Sequence, residues 1–196
     1  MKKFMSIAAM ALAAATSVTA EQQPPPPATP PAAQQPQAPR PPVPLETGLQ
    51  NQHRSIRGFL AKSAEMMTEA DYGFKPTPAQ RTFGELVAHI AQANFGSCSA
   101  MLSQPTPVQG RNLQTEAATA KKADIVKWLN DSLVICDQAY GAATAANVAE
   151  IITTGPNNVS RGGRMSGNTA HNNESYGTMV VYLRLKGHTP PSSEGR

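Results

Sequence analysis

Four stretches of the chain repeat apolar residues at helical spacing. The first runs from about Glu46 to Ala70, with Leu49, Ile56, Phe59, Leu60, Met66 and Met67 on one stripe. Gly73-Phe74-Lys75-Pro76-Thr77-Pro78 ends it, since each proline disfavours helix at the residue before it. The second opens at Thr82, where Thr82-Phe83-Gly84-Glu85 has the form of a capping box, and continues through Leu86, Val87, Ile90, Ala93 and Cys98 to about Leu102. Pro105 and Pro107 close it. The third spans roughly Lys121 to Tyr140, with Ile125, Trp128, Leu129, Ser132, Leu133 and Cys136 facing inward. In the last, His171, Ser175, Met179 and Tyr182 follow one another at steps of four, four and three. Gly187 supplies a left-handed cap there, Arg184 and Lys186 suit the negative end of the helix dipole, and Pro190 and Pro191 prevent continuation.

The connections carry less periodicity. Val108 to Ala120 is polar and long enough to cross from one end of a bundle to the other. Ala142 to Ile152 reads as a short extra helix. Gly155 to Gly167 holds four glycines, a proline and an Asn-Asn pair, which predicts a loop with the start of the last helix inside it. No alternating run is long enough for a strand. The expectation is an all-α four-helix bundle.

Residues 1–45 stand outside that bundle. Lys2 and Lys3, an apolar run from Ile7 to Ala15 and the small residues Val18-Thr19-Ala20 have the order of a secretory signal, residues 1–20. The run is too short to span a bilayer, and an uncleaved anchor is the competing reading. Residues 21–45 hold 11 of the chain's 18 prolines, with glutamine and alanine between them, a composition that stays extended and buries no core. A spacer is expected; a ligand for a proline-binding module is the sharper alternative. The location expected is periplasmic or secreted, with no membrane span once the signal is removed.

Residues 46–193 are a comfortable length for one domain. The formal charge of +4 becomes +2 without Lys2 and Lys3, and aromatic residues make up only 5% of the chain. With no basic stripe among aromatic side chains, a nucleic-acid partner is not indicated. The exposed faces show no stripe that demands a dimer, and a homodimer stays open.

Two runs carry a resemblance. YGFKPTPAQRTFGELVAHIAQANFGSCSAM, from Tyr72 to Met101, resembles the second-helix signature of DinB-like proteins, and HNNESYGTMVVYLRLKGHTPPSS, from His171 to Ser193, resembles their last helix. The resemblance covers residues 46–193 and implies an up-down-down-up bundle with a long crossover between helices two and three. It also implies a divalent metal held by three histidines, one on the second helix and two at i and i+4 on the last. Relatives include thiol S-transferases and a thiol-dependent isomerase, so a small-molecule or thiol substrate is implied.

Carried over position by position, His89 matches the second-helix ligand and His171 the first on the last helix, but the third position holds Ser175. Imidazoles four apart on a helix share a face and can converge on one ion with a third ligand from a facing helix. A serine hydroxyl is short and weakly basic, so affinity for zinc, nickel, iron or manganese should fall. Glu174 is a possible substitute, three residues from His171, or simply a solvent-facing carboxylate. His53 on the first helix and His188 beyond the Gly187 cap are better read as a partly buried histidine and a loop residue. Tyr176 either donates to a bound group or packs.

Cys98 and Cys136 are the only cysteines. Each lies four residues before the expected end of its helix, so parallel second and third helices, as the resemblance implies, would set the thiols at similar heights for a disulfide. Two buried free thiols, or soft metal ligands, are the alternatives. The function expected is that of a metal-dependent enzyme of thiol S-transferase or hydrolase type with a degenerate triad, or of a non-catalytic binding module that has lost its metal.

Overall fold

The computed structural model describes residues 41–154 and 157–195; the expected signal segment and the spacer through residue 40 lie outside these. Four long helices, α1 (Leu45–Met66), α2 (Phe83–Met101), α4 (Lys122–Gly141) and α5 (Arg161–Leu185), are joined by a one-turn α3 (Leu113–Glu116) and a short hairpin. The capping box opens α2 as expected: the Thr82 hydroxyl accepts from the Glu85 amide at 3.2 Å, and the Glu85 carboxylate accepts from the Thr82 amide at 2.7 Å. At the other end of the domain, Gly187 stands at φ 79°. There the His188 amide reaches the Leu183 carbonyl at 2.9 Å and the Gly187 amide reaches Arg184 at 3.0 Å, so the glycine cap satisfies two carbonyls of the last turn of α5.

Helix direction follows from which ends meet. Gly84, at the start of α2, sits so close to Ile125, at the start of α4, that a Cβ would stand 3.2 Å from its side chain; Cys98 and Cys136 are joined near the ends of the same helices. So α2 and α4 run parallel. Gln50, early in α1, donates to the carbonyls of Tyr140 and Ala143, late in α4 or just beyond it, so that pair is antiparallel. The Tyr182 hydroxyl donates to the Arg81 carbonyl at 2.7 Å, joining the end of α5 to the start of α2. The order is up-down-down-up, with the crossover between α2 and α4.

That crossover is anchored rather than free. Asn112 caps α3 by accepting from the Thr115 amide, Gln92 of α2 accepts from the Leu113 amide at 3.0 Å, and the Leu113 side chain is fully buried. The main core joins Leu60 of α1, Phe83 and Ile90 of α2, Leu129 and Leu133 of α4, and Met179 and Tyr182 of α5. A second cluster around Met101, Tyr140 and Met165 fills the opposite end.

Two expectations on the connections are corrected. Ala142 to Ile152 is not a helix: Thr144 and Asn147 exchange side-chain to backbone hydrogen bonds that complete one turn and stop. The next residues, Ile151–Thr154, are β1, paired antiparallel with β2 (Asn157–Ser160), in register from Ile151 opposite Ser160 to Thr154 opposite Asn157. A strand is present where no alternation announced one, because four β-branched residues in a row favour extended backbone. The last helix does begin inside the Gly155–Gly167 stretch, at Arg161, and the Ser160 hydroxyl caps it by accepting from the Gly163 amide at 3.0 Å. Gly162 is required there: a Cβ would stand 2.9 Å from the Val148 side chain and 3.1 Å from its carbonyl, which accepts the Gly162 amide at 2.8 Å.

Candidate functional site

The antiparallel packing of α2 on α5 brings His89 and His171 together. Their Nε2 atoms are 3.0 Å apart, with the rings tilted by 56°. Both side chains are part-buried, and they line a cleft of about 140 Å³ that also takes in Arg81, Glu174 and Ser175. Burial pushes His89 below the ordinary histidine pKa. The Arg81 guanidinium and His171 push it the same way, and Glu174 pulls it back.

Without an ion, one of the two facing nitrogens must carry the proton. His171 Nδ1 is buried with no hydrogen-bond partner among the described residues. The less costly arrangement leaves that nitrogen bare, so His171 donates from Nε2 to His89. The spacing also suits a shared ion: two imidazole nitrogens, each about 2.0–2.1 Å from one tetrahedral zinc, stand roughly 3.3 Å apart. Two ligands therefore fit.

A third is not supplied in the same way. Among the described residues, no three His, Cys, Asp or Glu side chains gather to hold a metal ion. Ser175 lies one turn along α5 from His171 and lines the cleft, only 6% exposed, whereas Glu174 lines the same cleft from an exposed position. Tyr176 does not serve this site. It stacks on Phe59 with centroids 5.2 Å apart and shares hydrogen bonds with both the amide and the hydroxyl of Ser192, pinning the C-terminal segment. His188 follows the α5 cap and does not line the cleft.

His53 faces another way. It is 2% exposed, stacks on Tyr140 at 4.1 Å, and meets Asp137 at 2.9 Å, while Arg57 holds the same carboxylate through its Nε at 2.8 Å. Burial lowers the His53 pKa, against the pull of Asp137. Unfolded, it titrates near 6.5, so between that value and its folded value the unfolded chain binds more protons. Stability is then complete above pH 6.5 and is lost as the pH falls toward the folded value. The expected result is a Tm that drops between about pH 7 and 5, with a shallower drop in His53→Gln, whose amide can still reach Asp137. Equal slopes in the two proteins would refute the assignment.

Sequence reasoning missed the amides that support the pair. Asn94 Oδ1 accepts from Asn168 Nδ2 at 2.9 Å and Asn172 Nδ2 at 3.0 Å, joining α2 to α5 just below the histidines. The Tyr140 hydroxyl extends the network from α4 by donating to the Met165 carbonyl at 2.6 Å and lying 3.1 Å from Asn168 Oδ1. The signal was present: Asn94, Asn168 and Asn172 occupy inward helical positions that otherwise hold apolar residues.

The sequence matches the family model of the DinB superfamily over residues 52–179. A DinB-like protein from Bacillus cereus ATCC 10987 is similar in structure at a TM-score of 0.59 and 16% identity, with 74% of this chain and 94% of that chain covered. A DinB-like protein from Bacillus subtilis gives 0.53 at 19% identity, covering 72% and 93%. The mycothiol-dependent maleylpyruvate isomerase gives 0.56 at 15% identity, covering 72% of this chain and 61% of that one. At these identities the likeness is one of fold, and no curated protein matches. The family model spans well over half of the chain, and the chain belongs to the DinB superfamily.

Proposed function

We propose that the cleft between α2 and α5 is a two-histidine divalent-metal site of weakened affinity, in an exported enzyme of thiol-transfer or hydrolytic type. The observation that carries this reading is the 3.0 Å approach of His89 Nε2 to His171 Nε2. An ion such as zinc, nickel, iron or manganese, when bound, would supply Lewis acidity that lowers the pKa of a thiol or water. His89 and His171 would hold it. The Ser175 hydroxyl would orient the attacking thiol or water by a hydrogen bond, Glu174 at the rim would add negative charge, and Arg81 would favour an anionic substrate. Export rests on the expected signal and on the Cys98–Cys136 disulfide, a bond that persists in oxidising compartments. Among the described residues no helix is long and apolar enough to cross a membrane.

A second reading has its own support. The two histidines already share a direct Nε2 to Nε2 hydrogen bond, and Ser175 stands where a ligand is required, as in a binding module that has lost its metal.

Metal analysis of protein purified without chelator or affinity tag separates these. The expected result is up to one equivalent of ion, lost in His89→Ala. Ser175→His should tighten binding at least about 10-fold, since loss of even an outer-shell partner costs that much. Protein that cannot be loaded, with Ser175→His also failing to load, would overturn the metal reading.

A further inference from the structure

His171 borders two cavities. Beyond the cleft that it shares with His89 lies a second, of about 250 Å³, between α2, β2 and the first turns of α5. Arg164 lines it. The Arg164 Nε is buried without a hydrogen-bond partner, and the guanidinium forms no salt bridge or side-chain hydrogen bond among the described residues. Arg161 also has a buried Nε without a partner, but its guanidinium meets Glu150, as Arg57 and Arg111 meet carboxylates, and Arg164 meets none among the described residues. The buried Nε has given up water with no protein acceptor in return, a cost that an anion bound at this edge of the guanidinium would offset.

The rest of the lining fits an anion with an apolar remainder. Ser97 of α2 lines the cavity with a hydroxyl that makes no hydrogen bond among the described residues, and Ala93 and Val159 form apolar wall. Among the described residues, no acidic side chain lines the cavity. Gly167 leaves it open: a Cβ there would meet nothing within 4 Å.

We infer that this cavity recognises the carboxylate of a small organic acid, with Arg164 as the anchor. One guanidinium supplies one positive charge and a planar fork of donors, which matches a monoanionic carboxylate taken bidentately. Because His171 lines both cavities, an acid seated on Arg164 would extend toward the paired Nε2 atoms. The inference rests, for its catalytic meaning, on the cleft being the working site; the binding itself does not.

Titration of the full chain with butyrate, followed by NMR at the Arg164 Nε–H and the Gly167 amide, tests it. Butyrate should give saturable shifts at both, and the neutral isostere butyramide should give none. Arg164→Met should weaken binding by about tenfold or more, the size of a lost charged hydrogen bond, and Arg164→Lys should recover part of it. Gly167→Met, which adds bulk facing open space and improves helix propensity, should block butyrate while leaving the circular dichroism unchanged. Equal response to butyramide, no saturation, or unaltered affinity in both Arg164→Met and Gly167→Met would overturn the assignment. Tighter binding of inorganic phosphate than of butyrate would overturn the carboxylate class. Metal uptake measured on the same protein and on Ser175→His keeps the two readings apart: butyrate binding with no metal loaded by either sinks only the metal site, and metal without butyrate sinks only this one.

Discussion

Reducing the Cys98–Cys136 disulfide should lower the unfolding free energy by about 3–4 kcal/mol, the value for constraining a loop of this length in the unfolded chain. The two cysteines are 38 residues apart in sequence, with Cα atoms 5.0 Å apart, and the bond ties the end of α2 to the end of α4 across the long crossover. Opening it releases a segment that includes α3 and most of α4. Both sulfur-bearing residues are fully buried, so reductant should act slowly on the folded protein and quickly once denaturant opens it. Urea unfolding of oxidised protein, reduced protein and Cys98→Ala/Cys136→Ala measures the difference. Coincident curves for oxidised and reduced samples, with reduction verified by thiol count, would show that the bond adds nothing.

Replacing Asn94 by leucine should cost about 2–5 kcal/mol, an effect of similar size from the opposite cause. Leucine has nearly the same volume, so packing changes little. What is lost is the oxygen that accepts from both Asn168 and Asn172, leaving two amide donors buried with no partner. Asn94 and Asn172 are fully buried and Asn168 is 4% exposed, so water cannot substitute. Each orphaned donor costs on the order of 1–3 kcal/mol. Asn172→Leu added to Asn94→Leu removes one of those donors, so the double variant should lose less than the sum of the singles. A double-mutant cycle reads that coupling directly. Additive losses, or a single-variant loss below about 0.5 kcal/mol, would mean the amides are not a network. The same variant tests support of the site, because Asn168 and Asn172 flank the turn of α5 that carries His171.

Both effects arise where α2 meets its neighbours, and α2 was the most legible element of the chain. Its start could be read from Thr82 and Glu85 because a capping box is a local exchange between residues three apart. Its stop could be read from Pro105 and Pro107. The same holds for the Gly187 cap, where a left-handed residue is needed whatever surrounds it. The hairpin was not legible, since Ile151–Thr154 is too short to show alternation and its partner strand is polar. Nor were the amides: a buried asparagine and an exposed one look alike until the facing helix is in place.

By itself, the sequence determined the four long helices, the capping box of α2 and the Gly187 cap, since apolar spacing and capping residues act within a few turns of one chain segment. His89 and His171 were singled out by the family resemblance of their two runs. Only the tertiary structure decided that the histidines face each other at 3.0 Å while His53 turns instead to Asp137. It also bore out the expected Cys98–Cys136 bond, with Cα atoms 5.0 Å apart, and set Arg164 in a cavity beside His171 with no carboxylate against it among the described residues. These are distances between residues far apart in the chain. They depend on helix direction and rotation, which packing of the whole core sets and no local pattern records.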